Sequence, residues 1–243
     1  MQMETATLSQ PTAALSMART GAQLWREFQQ APGMGAKASA RAFHNLARAV
    51  CASNRIRVDV EGYVPRGPVV LVANHGSYID PIVVGSVTPC IAVAKREVLD
   101  WPVIGDCAAR YGTLFVKRGC PLSGYRTLRH ALALLSEGGS ILNFPEGTTN
   151  WKDVAWFKRG IFGLARHAGV PVVPVAIAFD QRLSWIGEQT LVPHYVSLLR
   201  NGPHRVRVRI AQPLDSRHSA RDCAHAARVQ IQRMVDQMRE SNV

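Results

Sequence analysis

The chain of 243 residues contains no run of about 18 apolar residues, the length that an α-helix needs to cross a bilayer. Its amino terminus also lacks the basic segment followed by an apolar segment that directs secretion. We therefore expect a cytoplasmic protein without a transmembrane helix.

Cysteine is scarce, and its five positions are scattered along the chain without any Cys-x-x-Cys pair. An odd number at irregular spacings favours neither a disulfide framework nor a zinc site. We expect reduced, mostly buried thiols and no bound metal. The five positions are Cys51, Cys90, Cys107, Cys120 and Cys223.

Acidic residues are few: 17 Asp and Glu stand against 29 Lys and Arg, for a net charge of +12 and a pI near 10.2. Such a balance indicates an anionic partner, which could be nucleic acid, an anionic membrane surface or a phosphorylated substrate. Alternate arginines at 205, 207 and 209 resemble a solvated strand edge, and no nucleic-acid motif accompanies them. We expect no nucleic acid, and keep a basic, non-catalytic binding protein as an alternative.

Apolar strand candidates alternate with helix candidates along the chain. This order predicts βαβ units and a single α/β domain, whose mixed, largely parallel sheet is flanked by helices on both faces. The strand candidates are 56–60, 69–72, 91–94, 113–116, 140–144, 172–178 and 206–210. The helix candidates are 37–53, 81–86, 103–111, 124–136, 160–167 and 221–240.

The amino-terminal part differs in composition from the rest. Residues 1–36 are predicted to be an extension, partly disordered and with one helix candidate over 13–30. Residues 37–243 form the predicted domain, with its core over about 56–212. The helix candidate over 37–53 is amphipathic and basic, so it could pack on its own domain or lie on an anionic bilayer.

A histidine and a carboxylate follow the apolar run that ends near Val72, in residues 74–80 (NHGSYID). Residues five apart on an ideal helix are about 140° apart around its axis, so His75 and Asp80 cannot face each other on one helix. They can pair if His75 lies in a turn and Asp80 in the helix that follows. A carboxylate on one imidazole nitrogen leaves the other nitrogen as a general base, although an isolated His-x4-Asp pair is more often a surface hydrogen bond.

Two more polar turns follow strand candidates. Lys117 and Arg118 follow the strand candidate over 113–116, where they could bind a phosphate or simply face solvent. Glu146, Gly147 and Thr148 follow another strand candidate and offer an acceptor, amides and a hydroxyl to a polar headgroup. Alternatively, Glu146 is structural and bonds nearby amides or pairs with Arg118. Because carboxyl ends of parallel strands meet at one sheet edge, these turns and His75 could form a single cleft.

Four blocks together resemble, in order and spacing, the motifs of the glycerolipid acyltransferase family, which includes 1-acyl-glycerol-3-phosphate acyltransferases. They are residues 74–80 (NHGSYID), 115–118 (FVKR), 144–148 (FPEGT) and 170–175 (VPVVPV). Lys95, followed by residues 101–105 (WPVIG), resembles a further block of the family. The resemblance spans about residues 56–212.

This resemblance implies an acyltransferase in which His75, oriented by Asp80, deprotonates a hydroxyl of a lysophospholipid. The hydroxyl would attack acyl-CoA or acyl carrier protein directly, without an acyl-enzyme and without a cofactor. 1-Acyl-sn-glycerol-3-phosphate is the expected acceptor, and an anionic membrane surface on the cytoplasmic side is the expected place of work. The implied substrate-binding residues are Asn74, Lys95, Lys117, Arg118, Glu146, Gly147 and Thr148.

Two alternatives concern the reaction itself. Residues 185–187 (WIG) and 191–194 (LVPH) resemble a segment of bacterial family members that acylate lyso-ornithine lipid or related acceptors, which would make Arg118 less obviously a phosphate ligand. A hydrolase that uses a Ser or Cys nucleophile is disfavoured, because Ser77 is too close in sequence to His75 and no Gly-x-Ser-x-Gly turn is present.

Overall fold

The structure is a computed structural model. It describes residues 35–101, 103–185, 191–217 and 219–240, together with three helical positions nearer the amino terminus: Leu15, Ala18 and Ala22. Apart from those three and residues 35–36, the predicted extension over 1–36 lies outside the described residues, as does most of its helix candidate over 13–30.

Helices and strands alternate through most of the described chain. In order they are α1 (Ala36–Ser53), β1 (Ile56–Gly62), β2 (Val70–Ala73), α2 (Asp80–Val87), β3 (Ile91–Lys95), α3 (Ile104–Arg110), β4 (Leu114–Val116), α4 (Pro121–Ser136), β5 (Ile141–Asn143), α5 (Gly160–Ala168), β6 (Val172–Phe179), α6 (Leu191–Asn201), β7 (His204–Ile210) and α7 (Ala220–Glu240). Short 3₁₀ turns lie at Arg96–Asp100 and Gln181–Leu183.

The seven strands form one sheet in the order β1-β7-β6-β2-β5-β3-β4. Among the described strands, only β6 and β7 pair antiparallel. The other neighbours are parallel, which confirms the predicted mixed, largely parallel sheet. The polar turns after β2, β4 and β5 therefore all lie at the carboxyl ends of the parallel strands, on one end of the sheet.

The core lies on both faces of the sheet. Val70 and Val72 of β2 join the cluster under α4, α5 and α7, whereas Leu71 and Ala73 join the cluster under α2 and α6. Burial on both faces explains why β2 is an unbroken apolar run in the sequence instead of an alternating one. The prediction of helices on both faces is confirmed.

The prediction that the alternate arginines mark a sheet edge is wrong. Their strand, β7, lies between β1 and β6, and β1 is the edge strand instead. Arg205 pairs with Asp59, and Arg209 pairs with Glu61 at 2.7 Å, so both neutralise carboxylates of β1. These arginines give no support to a nucleic-acid surface.

Helix α6 was not predicted from the sequence. Pro193 is its third residue, a position that proline tolerates because the first N–H groups of a helix have no partner within it. Leu198 and Leu199 are buried against the sheet, and they place the helix beside the turn after β2.

We expect Gly62→Ala to destabilise the fold by at least about 2 kcal/mol. Gly62 ends β1 with φ +96°, and a Cβ there would lie 2.0 Å from the carbonyl oxygen of Ile210. Urea unfolding followed by circular dichroism measures the change. Gly67→Ala is the matched control, since a Cβ at residue 67 would meet no other atom within 4 Å, and it should change stability by less than about 1 kcal/mol.

Candidate active site

His75 and Asp80 are in contact at the end of β2. His75 lies in the turn and Asp80 is the first residue of α2, as their spacing requires. The His75 Nδ1 and Asp80 Oδ2 atoms are 2.8 Å apart, and the imidazole stacks on Phe144 with ring centroids 4.3 Å apart. The ring is thus fixed on one edge and one face.

The Asp80 carboxylate is fully buried and is held by the turn that it follows. Its Oδ2 also accepts hydrogen bonds from the N–H groups of Gly76 and Ser77, each at 2.8 Å. Because a carboxylate oxygen only accepts, His75 Nδ1 carries the proton and donates it. In the neutral ring Nε2 is therefore the free base.

Glu146 holds the backbone of the same turn. Its Oε1 accepts from the His75 N–H at 2.9 Å, and its Oε2 accepts from the Ala155 N–H at 2.8 Å. Burial raises the pKa of Glu146, against the effect of these two bonds. The side chain does not line the cavity described below, and its observed contacts hold the backbone of His75 and of Ala155.

Further bonds fix the two carbonyls of the turn. The N–H of Asn150 donates to the His75 carbonyl at 2.7 Å, and the N–H of Trp185 donates to the Gly76 carbonyl at 2.8 Å. The turn is thus anchored on two sides by chain segments that come much later in the sequence.

Asn74, a predicted substrate-binding residue, bonds the neighbouring strand β6 in the structure. Its Oδ1 accepts from the Ile177 N–H at 2.8 Å, and its Nδ2 donates to the Ile177 carbonyl at 2.9 Å. Both groups are thereby engaged with β6, and Asn74 does not line the cavity. Asn74 ties the end of β2 to its neighbour strand.

The remaining predicted residues meet at one cavity of about 1050 Å³. His75, Gly147 and Thr148 line it, together with Lys95, Lys117 and Arg118. Lys117 and Arg118 are exposed, so the cavity opens to solvent beside them. Away from these polar groups the walls are mainly apolar. They include Phe43, Leu46, Ile82, Val93, Val98, Ile104, Tyr111, Leu128 and Ala131.

Lys158 is a fourth cation at the cavity, and sequence reasoning did not place it among the binding residues. Its ammonium lies against Gly147, where a Cβ would be 2.6 Å from Nζ. Gly147 has φ +74°, so glycine suits this turn both by its backbone angle and by the space that the lysine takes. Only the fold reveals this contact.

Aromatic rings form another part of the cavity wall that sequence reasoning missed. Trp101 and Trp185 stack with centroids 5.4 Å apart, and Tyr78 meets Trp185 edge-on at 4.6 Å. The Lys95 ammonium is 5.8 Å from the centre of the Trp101 ring. Trp185 belongs to the segment that resembles lyso-ornithine lipid acyltransferases, which was the available signal.

His194 holds the Tyr78 ring of this wall in place. Its Nε2 donates to the Ser184 carbonyl at 3.0 Å, so its Nδ1 accepts from the Tyr78 hydroxyl at 3.3 Å. Burial lowers the pKa of His194 and raises the pKa of Tyr78, so both groups are neutral near pH 7.

Two candidate nucleophiles for a covalent mechanism, Ser77 and Cys107, are poorly placed. Ser77 is fully buried and does not line the cavity. Cys107 lines it, but burial raises the pKa of its thiol, which disfavours the thiolate. Within the part of the chain that the structure describes, no cluster of His, Cys, Asp or Glu could hold a metal, and no helix could span a membrane.

Comparison with known proteins also identifies acyltransferases. Residues 55–178 match the sequence model of the Acyltransferase family. The chain is 36% identical over 199 residues to the lyso-ornithine lipid O-acyltransferase of Pseudomonas aeruginosa, with 76% of each chain covered. It is 30% identical over 161 residues to the 1-acyl-sn-glycerol-3-phosphate acyltransferase of Neisseria meningitidis, covering 65% of this chain and 62% of that one.

Among solved structures, the 1-acyl-sn-glycerophosphate acyltransferase PlsC of Thermotoga maritima superposes with a TM-score of 0.68 at 24% identity. The match covers 91% of this chain and 89% of that one. It confirms the fold class.

Glu146→Gln should destabilise the protein by about 1–3 kcal/mol, because an amide can accept from only one of the two N–H groups and leaves the other facing its own NH₂. Burial raises the Glu146 pKa above its ordinary 4.5, so ionisation costs the folded state free energy. The free energy of unfolding of the wild type should therefore fall towards that of the variant as the pH rises above 4.5. Urea unfolding from pH 4.5 to neutral pH tests both statements, and a difference between the two proteins that widens with pH would contradict the second.

Proposed function

Because the chain belongs to the glycerolipid acyltransferase family, we propose that it moves a fatty acyl group from a thioester donor to a hydroxyl of a lysolipid acceptor. The observation that carries this proposal is the His75–Asp80 pair at 2.8 Å, with His75 lining a large, mainly apolar cavity. A positioned base beside space for a hydrocarbon chain suits deprotonation of a lipid hydroxyl.

The reaction is a direct transfer. His75 Nε2 takes the proton from the acceptor hydroxyl as the oxygen attacks the thioester carbonyl carbon. The tetrahedral intermediate then collapses, the C–S bond breaks, and the imidazolium returns the proton to the leaving thiolate. Asp80 stabilises the imidazolium while it lasts and keeps the ring in its tautomer.

The donor in this proposal is acyl-CoA or an acylated carrier protein. Either one brings the acyl group already activated as a thioester, so it acts as a co-substrate and the transfer requires no further cofactor. The apolar cavity walls would receive acyl chains, because burying hydrocarbon there removes it from water.

Lysophosphatidate is one acceptor that the site suits. Four cations, Lys95, Lys117, Arg118 and Lys158, line the cavity. A phosphate monoester can accept several charged hydrogen bonds at once, with the arginine fork adding direction. The similarity to the Neisseria meningitidis enzyme supports this acceptor.

Lyso-ornithine lipid is the second candidate, and two observations favour it. The Pseudomonas aeruginosa relative named for this acceptor is 36% identical, against 30% for the Neisseria meningitidis enzyme. An ornithine headgroup carries a carboxylate, which the cations would bind. It also carries an ammonium, which the rings of Tyr78, Trp101 and Trp185 would attract through their faces.

In this proposal the protein is bound peripherally to the cytoplasmic face of a membrane. The net charge of +12 favours adsorption to anionic lipids, and the proposed acceptor is itself a membrane lipid.

The decisive assay gives the purified protein acyl-CoA or acyl carrier protein, with lysophosphatidate, lyso-ornithine lipid or glycerol-3-phosphate as acceptor. We expect transfer to one or both lysolipids, and a fall in kcat of about 10²- to 10⁴-fold for His75→Ala. His225→Ala, which alters an exposed histidine on α7, is the control and should be silent. A folded His75→Ala variant with an unchanged rate would overturn the assignment of the base.

Arg118→Ala should raise the KM for the acceptor about tenfold while the KM for the donor changes little, because the guanidinium would bind the acceptor headgroup. Steady-state kinetics with each substrate varied in turn measures both constants. Arg166→Ala, an exposed arginine that does not line the cavity, serves as the control. Equal changes in the two KM values would remove Arg118 from the acceptor site.

A further inference from the structure

Helix α4 has two different sides, and both bear on how a lipid would reach the cavity. On its inner side, Gly124, Thr127, Leu128 and Ala131 line the cavity. Helix α4 is thus a wall between the cavity and the outside of the molecule. It begins three residues after Arg118, where the cavity opens.

The opposite side of α4 exposes large apolar groups. Leu122 is 56% exposed and Tyr125 is 61% exposed, and neither lines the cavity. Arg126 and Arg129 are exposed as well. The four residues are spaced i, i+3, i+4 and i+7, so they lie on one face, which we name the α4 outer face.

The chain segment that contains α4 carries charge of one sign. Residues 107–136 contain five Lys or Arg and no Asp or Glu. Lys117 and Arg118, in the turn before α4, are exposed. Apolar and tyrosine side chains among arginines, without any carboxylate, are typical of helices that lie in the interface of an anionic bilayer.

We propose that the α4 outer face docks on an anionic lipid surface, with Leu122 and Tyr125 inserted among the lipids and the arginines on their headgroups. The inference rests on the proposed function in one respect, namely that the acceptor is a lipid. Docking there places the opening beside Lys117 and Arg118 at the bilayer surface. A lysolipid then moves sideways into the cavity without exposing its chain to water.

Vesicle binding of the full-length protein tests the surface. On phosphatidylglycerol-rich vesicles, the double variant Leu122→Ser/Tyr125→Ser should bind roughly tenfold more weakly than wild type, because it loses inserted apolar area. The double variant Leu122→Phe/Tyr125→Trp keeps interfacial side chains and should bind as wild type does. On pure phosphatidylcholine vesicles wild type should bind far more weakly.

Two matched controls distinguish this surface from nonspecific binding through exposed aromatic groups or through net charge. Trp156→Ser removes an aromatic side chain that is 75% exposed and that contacts Arg228 of α7, and it should leave binding unchanged. Arg126→Gln/Arg129→Gln should weaken binding roughly tenfold. Arg41→Gln/Arg48→Gln, with the same loss of charge on the exposed side of α1, should not. Equal losses from the paired variants overturn the proposal.

Activity gives an independent readout. On a lysolipid embedded in vesicles, Leu122→Ser/Tyr125→Ser should lose roughly as much kcat/KM as it loses binding. On a short-chain lysolipid kept below its micelle concentration, it should match wild type within about twofold. Absence of transfer to either form by wild type would contradict the proposed function. Unchanged vesicle binding and unchanged transfer from vesicles by the variant would contradict the docking surface alone.

Discussion

One buried carboxylate oxygen organises the turn that carries His75. Asp80 Oδ2 accepts three N–H groups, from the His75 ring and from the backbones of Gly76 and Ser77. A buried charge with fewer partners would be strongly unfavourable, so the turn and the carboxylate stabilise each other. The same bonds set the tautomer of His75. The shape of the turn and the chemistry of its histidine therefore depend on one group.

The sheet brings the other groups of the site next to this turn. The parallel strands β2, β5 and β4 deliver three polar turns to the same end of the sheet, where Glu146 holds the His75 backbone and the cations line the cavity. The apolar space lies beside this end of the sheet, against α4. The geometry separates two tasks, since charged groups would hold a headgroup and apolar walls would hold hydrocarbon. A lysolipid has both parts.

Several features of the site could be predicted from the sequence because their causes are local or periodic. The strand before His75 is an apolar run, the His75–Asp80 spacing requires a turn followed by a helix, and the strand and helix order implies a largely parallel sheet. Helix α6 was missed, since Pro193 interrupts its pattern in the first turn. The partners of Asn74 and Glu146 could not be predicted, because Ile177 and His75 lie 103 and 71 residues away.

By itself, the sequence determined the seven strands, the described helices other than α6, the fold class and the set of polar groups at strand ends, because each follows from residue type, spacing and period. Only the tertiary structure decided which of those groups face the cavity and which hold the backbone. It brought Lys158 against Gly147 and built the wall of Tyr78, Trp101 and Trp185. The physical reason is that a polar side chain binds whichever partner the packed fold places within about 3 Å, and that partner is set by the whole chain.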